Sequence, residues 1–161
     1  MPASDLVRGA YAGKETKLYY NDGTYAIPVW VEIKRARNIQ KNRGPALSEV
    51  ETHGANETGN VPGYVKFAGS FEYARQRGTD TVYDALVTAR DSGGIVDICH
   101  LNGTVTASTS KGWRAPVLLG ESSGTDNGND GASETFPFAK ADAFTDAGAA
   151  VNYAAFTGTD P

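Results

Sequence analysis

Residues 64–75 have the sequence Tyr-Val-Lys-Phe-Ala-Gly-Ser-Phe-Glu-Tyr-Ala-Arg, in which large apolar side chains alternate with polar or small ones. The apolar set is Val65, Phe67, Phe71 and Tyr73. Lys66, Ser70 and Glu72 occupy the alternate positions, and Arg75 lies at the edge. A period of two over this length is typical of a β-strand with one buried face and one face in water. The stretch therefore predicts a long strand whose apolar side faces a core.

A single short helix is predicted over residues 79–92, directly after this strand. Thr79 or Asp80 can cap its N-terminus, and Gly93-Gly94 can end it. A helix of this length is too short to be stable alone, so it must pack on a sheet. An apolar run at residues 95–101 then predicts the next strand.

Further strands are predicted on both sides of this segment, at residues 14–20, 26–32, 35–41, 113–119 and 132–141. Two polar stretches separate them, and both are rich in turn-forming residues. Residues 42–62 predict a long loop, and loops of that length are usually functional or disordered. Within it, the spacing of Leu47, Val50 and Thr52 leaves open a partly extended arm or hairpin. Residues 121–131 predict a flexible polar loop.

The composition bounds the class of protein. At 161 residues with 40% hydrophobic residues, the chain is long enough for one domain with a real core. No stretch approaches the apolar length that a bilayer crossing needs, and we expect no secretory signal. Cys99 is the single cysteine, which rules out an internal disulfide framework and fits a reducing cytoplasm.

The net charge of −4 is unevenly distributed along the chain. Residues 121–161 carry seven acids against one base, a balance of −6, so residues 1–120 carry +2. No cluster of lysines and arginines is dense enough to predict tight nucleic-acid binding.

Three short patterns resemble chemical motifs, and each favours an ordinary structural role. Residues 120–124 match the Gly-x-Ser-x-Gly nucleophile motif, but the glycine- and asparagine-rich stretch that follows cannot form the helix the motif requires. Residues 126–131 resemble a calcium loop without its closing glutamate. Asp97, Cys99 and His100 alternate across a strand and do not converge on a metal. We therefore expect no catalytic residue, no metal site and no cofactor.

The order of elements resembles the phage major tail protein, or tail tube protein, family over residues 13–145. Residues 17–26 lead into Val29-Trp30-Val31-Glu32-Ile33, followed by Ala36-Arg37-Asn38-Ile39 and the polar segment. The long strand, the helix at residues 81–86, Ile95-Val96-Asp97-Ile98, Trp113-Arg114-Ala115-Pro116 and residues 134–138 complete the order. The resemblance implies a mainly β fold, a β-sandwich or split barrel of tail tube type with one flanking α-helix. Residues 1–12 and 146–161 are then terminal arms.

The resemblance also implies a function without enzymatic activity. Members of this family form hexameric rings that stack into a tube, and DNA passes through the channel without specific binding. The chain is then a homo-oligomer with other tail proteins, such as the tape measure and the tail terminator, as partners and with no membrane partner. It would reside in the virion tail after assembly in the host bacterial cytoplasm.

The resemblance, combined with the strand pattern, predicts two functional surfaces. We expect an inter-subunit arm in the polar segment, with these residues as contacts: Ala46, Leu47, Glu49, Val50, Glu51, His53 and Asn56. We expect the polar side of the long strand to face the lumen, through Lys66, Ser70 and Glu72.

Two alternatives stay open from the sequence. A β-sandwich module that binds carbohydrate or another ligand would present Tyr19, Tyr25, Trp30 and Trp113 on one flat exposed face. A related tail-completion protein, or a tube protein of a contractile injection particle, would share the tube chemistry.

Overall fold

A computed structural model describes residues 15–51, 58–127, 131–145 and 148–158. In chain order the elements are β1 (Lys17–Asn21), β2 (Trp30–Glu32), β3 (Ala36–Glu51), β4 (Thr58–Ala74), α1 (Thr81–Ser92), β5 (Ile95–Leu101), β6 (Lys111–Leu119), β7 (Ser123–Asn127), β8 (Gly131–Lys140), β9 (Ala143–Phe144), β10 (Ala150–Val151) and β11 (Ala154–Thr157). The predicted class, mainly β with one helix, is confirmed. The described residues divide into two compact units: the first holds 15–34, 96–116 and 143–158, and the second holds 35–95 and 117–142.

The first unit is an antiparallel arrangement in the order β2-β1-β5-β6, with β11 on the other side of β6. Tyr19 of β1 pairs with Glu32 of β2 on one side and with Cys99 of β5 on the other. β9 and β10 form a separate two-stranded ribbon. The buried apolar side chains of this unit are Leu18, Tyr19, Ile33, Val96, Ile98, Cys99, Leu101, Trp113, Ala115, Ala143 and Val151.

The second unit is built around β4 and β8, which pair antiparallel over Ala68–Ala74. β3 lies beyond β4, β7 pairs with β8, and Val117–Leu119 of β6 pair with the other end of β8. Phe71 and Phe136 are directly opposite and stack, with ring centroids 5.5 Å apart. Such a pair adds about 0.5–1.5 kcal/mol to the burial of each ring.

Helix α1 covers the apolar side of β4 and β8. Leu86 is fully buried, and the Tyr83 ring contacts Tyr73 and Phe136. The Asp80 side chain caps the N-terminus by accepting a hydrogen bond from the Tyr83 N–H, and Gly93 ends the helix in a left-handed conformation with φ 65°. The sequence signals for the two helix ends therefore correspond to the caps that form.

The prediction of a loop at residues 42–62 is wrong over most of its length. β3 continues to Glu51 and β4 begins at Thr58, so the segment is a long antiparallel hairpin, as the alternative from the sequence allowed. Its side chains are exposed from Lys41 to Arg43 and from Pro62 to Lys66. Because these side chains are in water, the sequence there shows no apolar alternation of the kind that identifies a strand.

Two other predictions from the sequence are wrong, one for the loop at residues 121–131 and one for the burial of Val65. Residues 123–127 are not a loop, because β7 pairs with β8 from Ser123↔Thr135 to Asn127↔Gly131. Val65 is exposed and not buried, since β4 has passed the end of its pairing with β8 at Ala68.

The terminal arms remain predictions. Residues 1–12 lie outside the described residues. Residues 148–158 contain β10 and β11, which pair within the chain with β9 and β6. In the part of the chain that the structure describes, no helix is both long and apolar enough to span a membrane.

Candidate assembly surfaces

The arm predicted from the sequence falls on the distal part of the β3–β4 hairpin. Ala46 and Leu47 lie on β3, and the backbones of Glu49, Val50 and Glu51 pair with residues 58–60 of β4. His53 and Asn56 lie outside the described residues. The structure thus brings five of the seven predicted residues onto one strand.

Apolar side chains are exposed on this hairpin. Leu47 is 67% exposed, Tyr64 is 93% exposed and Val65 is 56% exposed. Lys41, Arg43 and Lys66 give the same ribbon positive charge. Over residues 58–66, β4 pairs with β3, and within the described residues no other strand covers its second edge. An open strand edge beside exposed apolar side chains is a typical site for pairing with another chain.

The predicted lumen residues share one face of β4. Lys66 is exposed, whereas Ser70 and Glu72 are half-buried. The register places Gln40 of β3 and Pro137 of β8 on either side of Ser70. The face is therefore made mainly of small or uncharged side chains.

Glu72 is held by residues that the sequence did not single out. Arg37 Nη2 donates to its Oε1 at 2.6 Å and Asn38 Nδ2 donates to its Oε2 at 2.7 Å. Asn38 has φ 51° and lies where a bulge shifts the register of β3 between Arg37 and Gln40. Hydrogen bonds from Arg37, Ser133 and Asn38 lower the pKa of Glu72 to about 2. The carboxylate is thus charged at neutral pH and compensated within the chain.

A second polar cluster lies beneath α1. Arg90 Nη1 donates to Glu134 Oε1 at 2.7 Å, and the hydroxyls of Tyr83 and Ser122 also donate to the Glu134 carboxylate. The Arg90 guanidinium carbon lies 5.9 Å from the centre of the Phe136 ring. Burial raises the pKa of Glu134, but these hydrogen bonds outweigh burial and leave the pKa below its usual value. The cluster joins α1, β8 and the segment before β7.

The first unit contains a third cluster, centred on Arg114 of β6. Asp97 of β5 receives hydrogen bonds from Arg114 Nε at 3.0 Å and from Nη2 at 2.6 Å. The guanidinium carbon lies 3.9 Å from the centre of the Tyr25 ring and 5.0 Å from that of Trp30. Partners far apart in the sequence meet here, so no local pattern could identify the cluster.

The residues of the motif-like patterns have structural roles. Asp97 is committed to Arg114, and the Ser122 hydroxyl is hydrogen-bonded to Glu134. Burial raises the pKa of the Cys99 thiol to about 12, which makes it unreactive at neutral pH. The His100 ring packs at 5.9 Å from Trp113. No group of metal-binding side chains converges anywhere in the described ranges.

The flat aromatic face expected of a carbohydrate-binding module does not form. Tyr19 and Trp113 are buried, and Trp30 is half-buried beside Phe156. Tyr25 has its ring against Arg114. These four residues therefore offer no common exposed platform on which a sugar ring could stack.

Comparisons with known proteins give a consistent fold. No protein-family model matches the chain, and no curated protein sequence matches it either. Among solved structures, a chain of the SPP1 tail tube has a TM-score of 0.70 and 13% sequence identity, covering 94% of this chain and 81% of its own. A chain from the tail of the empty GTA particle, with C6 symmetry, has a TM-score of 0.61 and 14% identity, covering 83% and 96% respectively.

A component of the PVC sheath–tube complex, an extracellular contractile injection system, is similar along almost the whole length. Its TM-score is 0.61 at 9% identity, with 98% of both chains covered. At such low identities the likeness concerns the three-dimensional fold. The chain therefore has the fold of the tail tube proteins of phages and phage-like particles.

Proposed function

We propose that this protein is a non-enzymatic structural subunit of a bacteriophage tail tube, which assembles into stacked hexameric rings that enclose a channel for DNA. The observation that carries the proposal is the tail tube fold combined with a long hairpin whose outer edges are open and whose side chains are exposed at residues 41–43 and 62–66. The C6 symmetry of the GTA tail, a structure of the same fold, supports rings of six.

The hairpin is the proposed inter-subunit arm. It offers backbone hydrogen-bonding groups along open edges, and it exposes Leu47, Tyr64 and Val65 to solvent. A strand edge covered by a neighbouring copy loses its liability to unspecific aggregation. Repetition of the same contact around a ring requires two different surfaces on each subunit.

The polar face of β4 is the proposed lumen surface. Glu72 is compensated by Arg37 at 2.6 Å, and Ser70 is flanked by Gln40 and Pro137. Lys66 adds one exposed positive charge. Because affinity for DNA rises with the number of phosphates that Lys and Arg neutralise, a face with so few uncompensated cations supports passage without retention.

The proposed partners are other copies of this chain and the tail proteins that end or fill a tube, namely the terminator and the tape measure. Similar structures come from a PVC sheath/tube terminator and from an AFP tube-terminating cap, which supports terminal partners of this kind. The proposed location is the virion tail, after assembly in the host bacterial cytoplasm.

The test is negative-stain electron microscopy of the purified protein over a range of concentrations, together with light-scattering mass. We expect rings or hollow tubes with six-fold symmetry and a central channel. Compact monomers at every concentration, or aggregates without a channel, would contradict the proposal.

A tube subunit of a contractile injection particle is the second candidate, because chains of the PVC and AFP particles have the same fold. The tube chemistry is shared, and what differs is the surrounding sheath. Genes for a contractile sheath and for its terminator beside the gene of this chain would favour this candidate, and their absence would favour a non-contractile phage tail.

A further inference from the structure

The loop between β1 and β2, residues 22–29, exposes apolar side chains where a polar turn is usual. Ile27 is 76% exposed and Val29 is 54% exposed, and Ala26 beside them is also in solvent. Turns between strands are normally dominated by Gly, Asn, Asp, Ser and Pro. We call these residues the β1–β2 loop, and its exposed aliphatic side chains need a physical reason.

Hydrogen bonds hold this loop in one conformation. Asn21 Oδ1 accepts from the N–H groups of Gly23 and Val29, both at 2.8 Å, and Asn21 Nδ2 donates to the Thr24 carbonyl at 2.9 Å. The Thr24 hydroxyl accepts from the Ile27 N–H at 3.1 Å. The loop is closed by the Asp22 N–H, which donates to the Val29 carbonyl at 2.8 Å.

The Arg114 cluster anchors the loop to the sheet. Arg114 Nη2 donates to the Tyr25 carbonyl at 2.8 Å while its guanidinium lies against the Tyr25 ring. Gly23 shows how closely the loop is wound, since a Cβ there would lie 2.5 Å from the Ile27 carbonyl oxygen. The loop is thus ordered before any partner arrives.

An ordered loop with aliphatic side chains in water has the properties of a preformed binding surface. Burying these side chains in an interface is favourable by about 25 cal/mol per Å² of apolar area. Because the loop is already rigid, binding costs little conformational entropy. Within the chain, the polar anchors explain the conformation of the loop but not the exposure of Ile27 and Val29.

We propose that the β1–β2 loop docks on the β3–β4 hairpin of a second copy of this chain. The hairpin offers matching chemistry, because the register places the exposed side chains of Leu47 and Val65 on one face, opposite Pro62 and Pro45. The charges are also complementary: Asp22 flanks the apolar loop, and Arg43, opposite Phe67, lies on the same face of the hairpin as Val65.

The pairing of two different surfaces suits a tube. A contact of a loop with its own equivalent would be isologous and would end at a dimer, whereas a loop-to-hairpin contact repeats from copy to copy. The inference rests on the proposed function and specifies one of its subunit contacts.

The test is disulfide cross-linking between two single variants, Ile27→Cys and Val65→Cys, mixed before assembly and oxidised with copper phenanthroline. Cys99 is fully buried, so it does not compete for cross-linking. We expect a covalent dimer in the mixture, severalfold more abundant than with either variant alone. The matched control replaces Ile27→Cys by Phe144→Cys, whose parent side chain is 62% exposed and lies outside both surfaces.

A second variant tests the same contact without cross-linking. Ile27→Ser should raise the protein concentration needed for assembly roughly tenfold or more, because one buried aliphatic side chain is lost per contact. Phe144→Ser should leave this concentration unchanged, and the thermal unfolding of both should match that of the parent chain.

The outcomes separate the two proposals. Tubes that form without the Ile27–Val65 cross-link, and whose assembly is unaffected by Ile27→Ser, would overturn this contact while the tube function stands. If the unsubstituted protein forms neither rings nor tubes, the proposed function fails and this contact falls with it.

Discussion

At the scale of single residues, Glu134 is the most deeply buried charged side chain among the described residues. Hydrogen-bond donors surround its carboxylate and balance its negative charge. Arg90, Tyr83 and Ser122 all donate to its carboxylate. A buried pair contributes little when intact, yet the loss of an acceptor leaves its buried donors unsatisfied. The cluster therefore matters most for how α1 is fixed to β8.

Replacing Glu134 by alanine should lower the free energy of unfolding by about 2 kcal/mol, because the Tyr83 and Ser122 hydroxyls lose their acceptor while Arg90 keeps its pair with Asp91. The measurement is chemical denaturation followed by circular dichroism. Lys17→Gln is the matched control, since it breaks the more accessible pair with Glu32 and should cost less than about 1 kcal/mol. Equal losses in the two variants would contradict the special role of Glu134.

Glu72 predicts how stability depends on pH. Its pKa in the folded chain is about 2, against an ordinary value of 4.5, because Arg37, Ser133 and Asn38 stabilise the charged form. The unfolded chain therefore takes up the proton first as the pH falls. The stabilisation is complete above about pH 5 and is lost progressively as the pH approaches 2.

The check is the melting temperature of the parent chain and of Glu72→Gln between pH 2 and pH 7. The parent should melt higher at neutral pH, and the difference should shrink below pH 4.5 and vanish near pH 2. A difference that stays constant through this range would show that the charge of Glu72 does not stabilise the fold.

At the scale of elements, β11 is held at its end by a close contact of Gly158. Its N–H donates to the Ser110 carbonyl at 2.9 Å, and a Cβ on Gly158 would lie 2.3 Å from the Ala107 carbonyl oxygen. Phe156 of the same strand packs beside Trp30, with ring centroids 5.6 Å apart. A side chain at position 158 would force the strand away from these partners.

Gly158→Val should therefore destabilise the protein by about 1–3 kcal/mol, the usual cost of overpacking, and should speed amide exchange in β11. Gly44→Ala is the control, because a Cβ there meets nothing within 4 Å. Hydrogen exchange detected by mass spectrometry gives both readings. Unchanged protection of β11 in Gly158→Val would show that the contact is not tight in solution.

The elements that could be predicted from the sequence are those with one apolar face. β4 alternates because α1 covers one side of it, and α1 itself carries its signals at Asp80 and Gly93. The hairpin and β7 could not be predicted in this way, because the side chains of residues 62–66 and 123–126 are all exposed and show no apolar alternation. Their polar composition is typical of a loop until the pairing partner is known.

The candidate assembly surfaces could also be predicted only in part from the sequence. The shared face of Lys66, Ser70 and Glu72 follows from the period of a strand, whereas the bond from Arg37 to Glu72 depends on the register of β3 with β4. The β1–β2 loop was missed, because Asn21-Asp22-Gly23 reads as an ordinary turn and nothing local indicates that Arg114 anchors it.

At the scale of the whole molecule, we expect the distal half of the β3–β4 hairpin to contribute to assembly and not to folding. The side chains of Leu47 and of residues 62–66 are exposed, and the pairing of β4 with β8 ends at Ala68. The fold should therefore be independent of this half, whereas an assembly that uses it should not. We therefore expect that the arm can be deleted without unfolding the protein.

Deletion of residues 46–60 should leave a folded monomer that forms neither rings nor tubes. Pro45 pairs with Val65, so residues 61–64 remain to close a shortened hairpin over a four-residue loop. We expect the circular dichroism spectrum and the melting temperature of the shortened chain to stay close to those of the parent, and light scattering to report a monomer at every concentration. Leu47→Ser, a point variant in the same segment, should reduce assembly only in part. The backbone edge persists, whereas one apolar side chain that is 67% exposed is lost from the contact. Tubes of normal appearance from the deletion variant would place the subunit contacts elsewhere, since no other element would have changed.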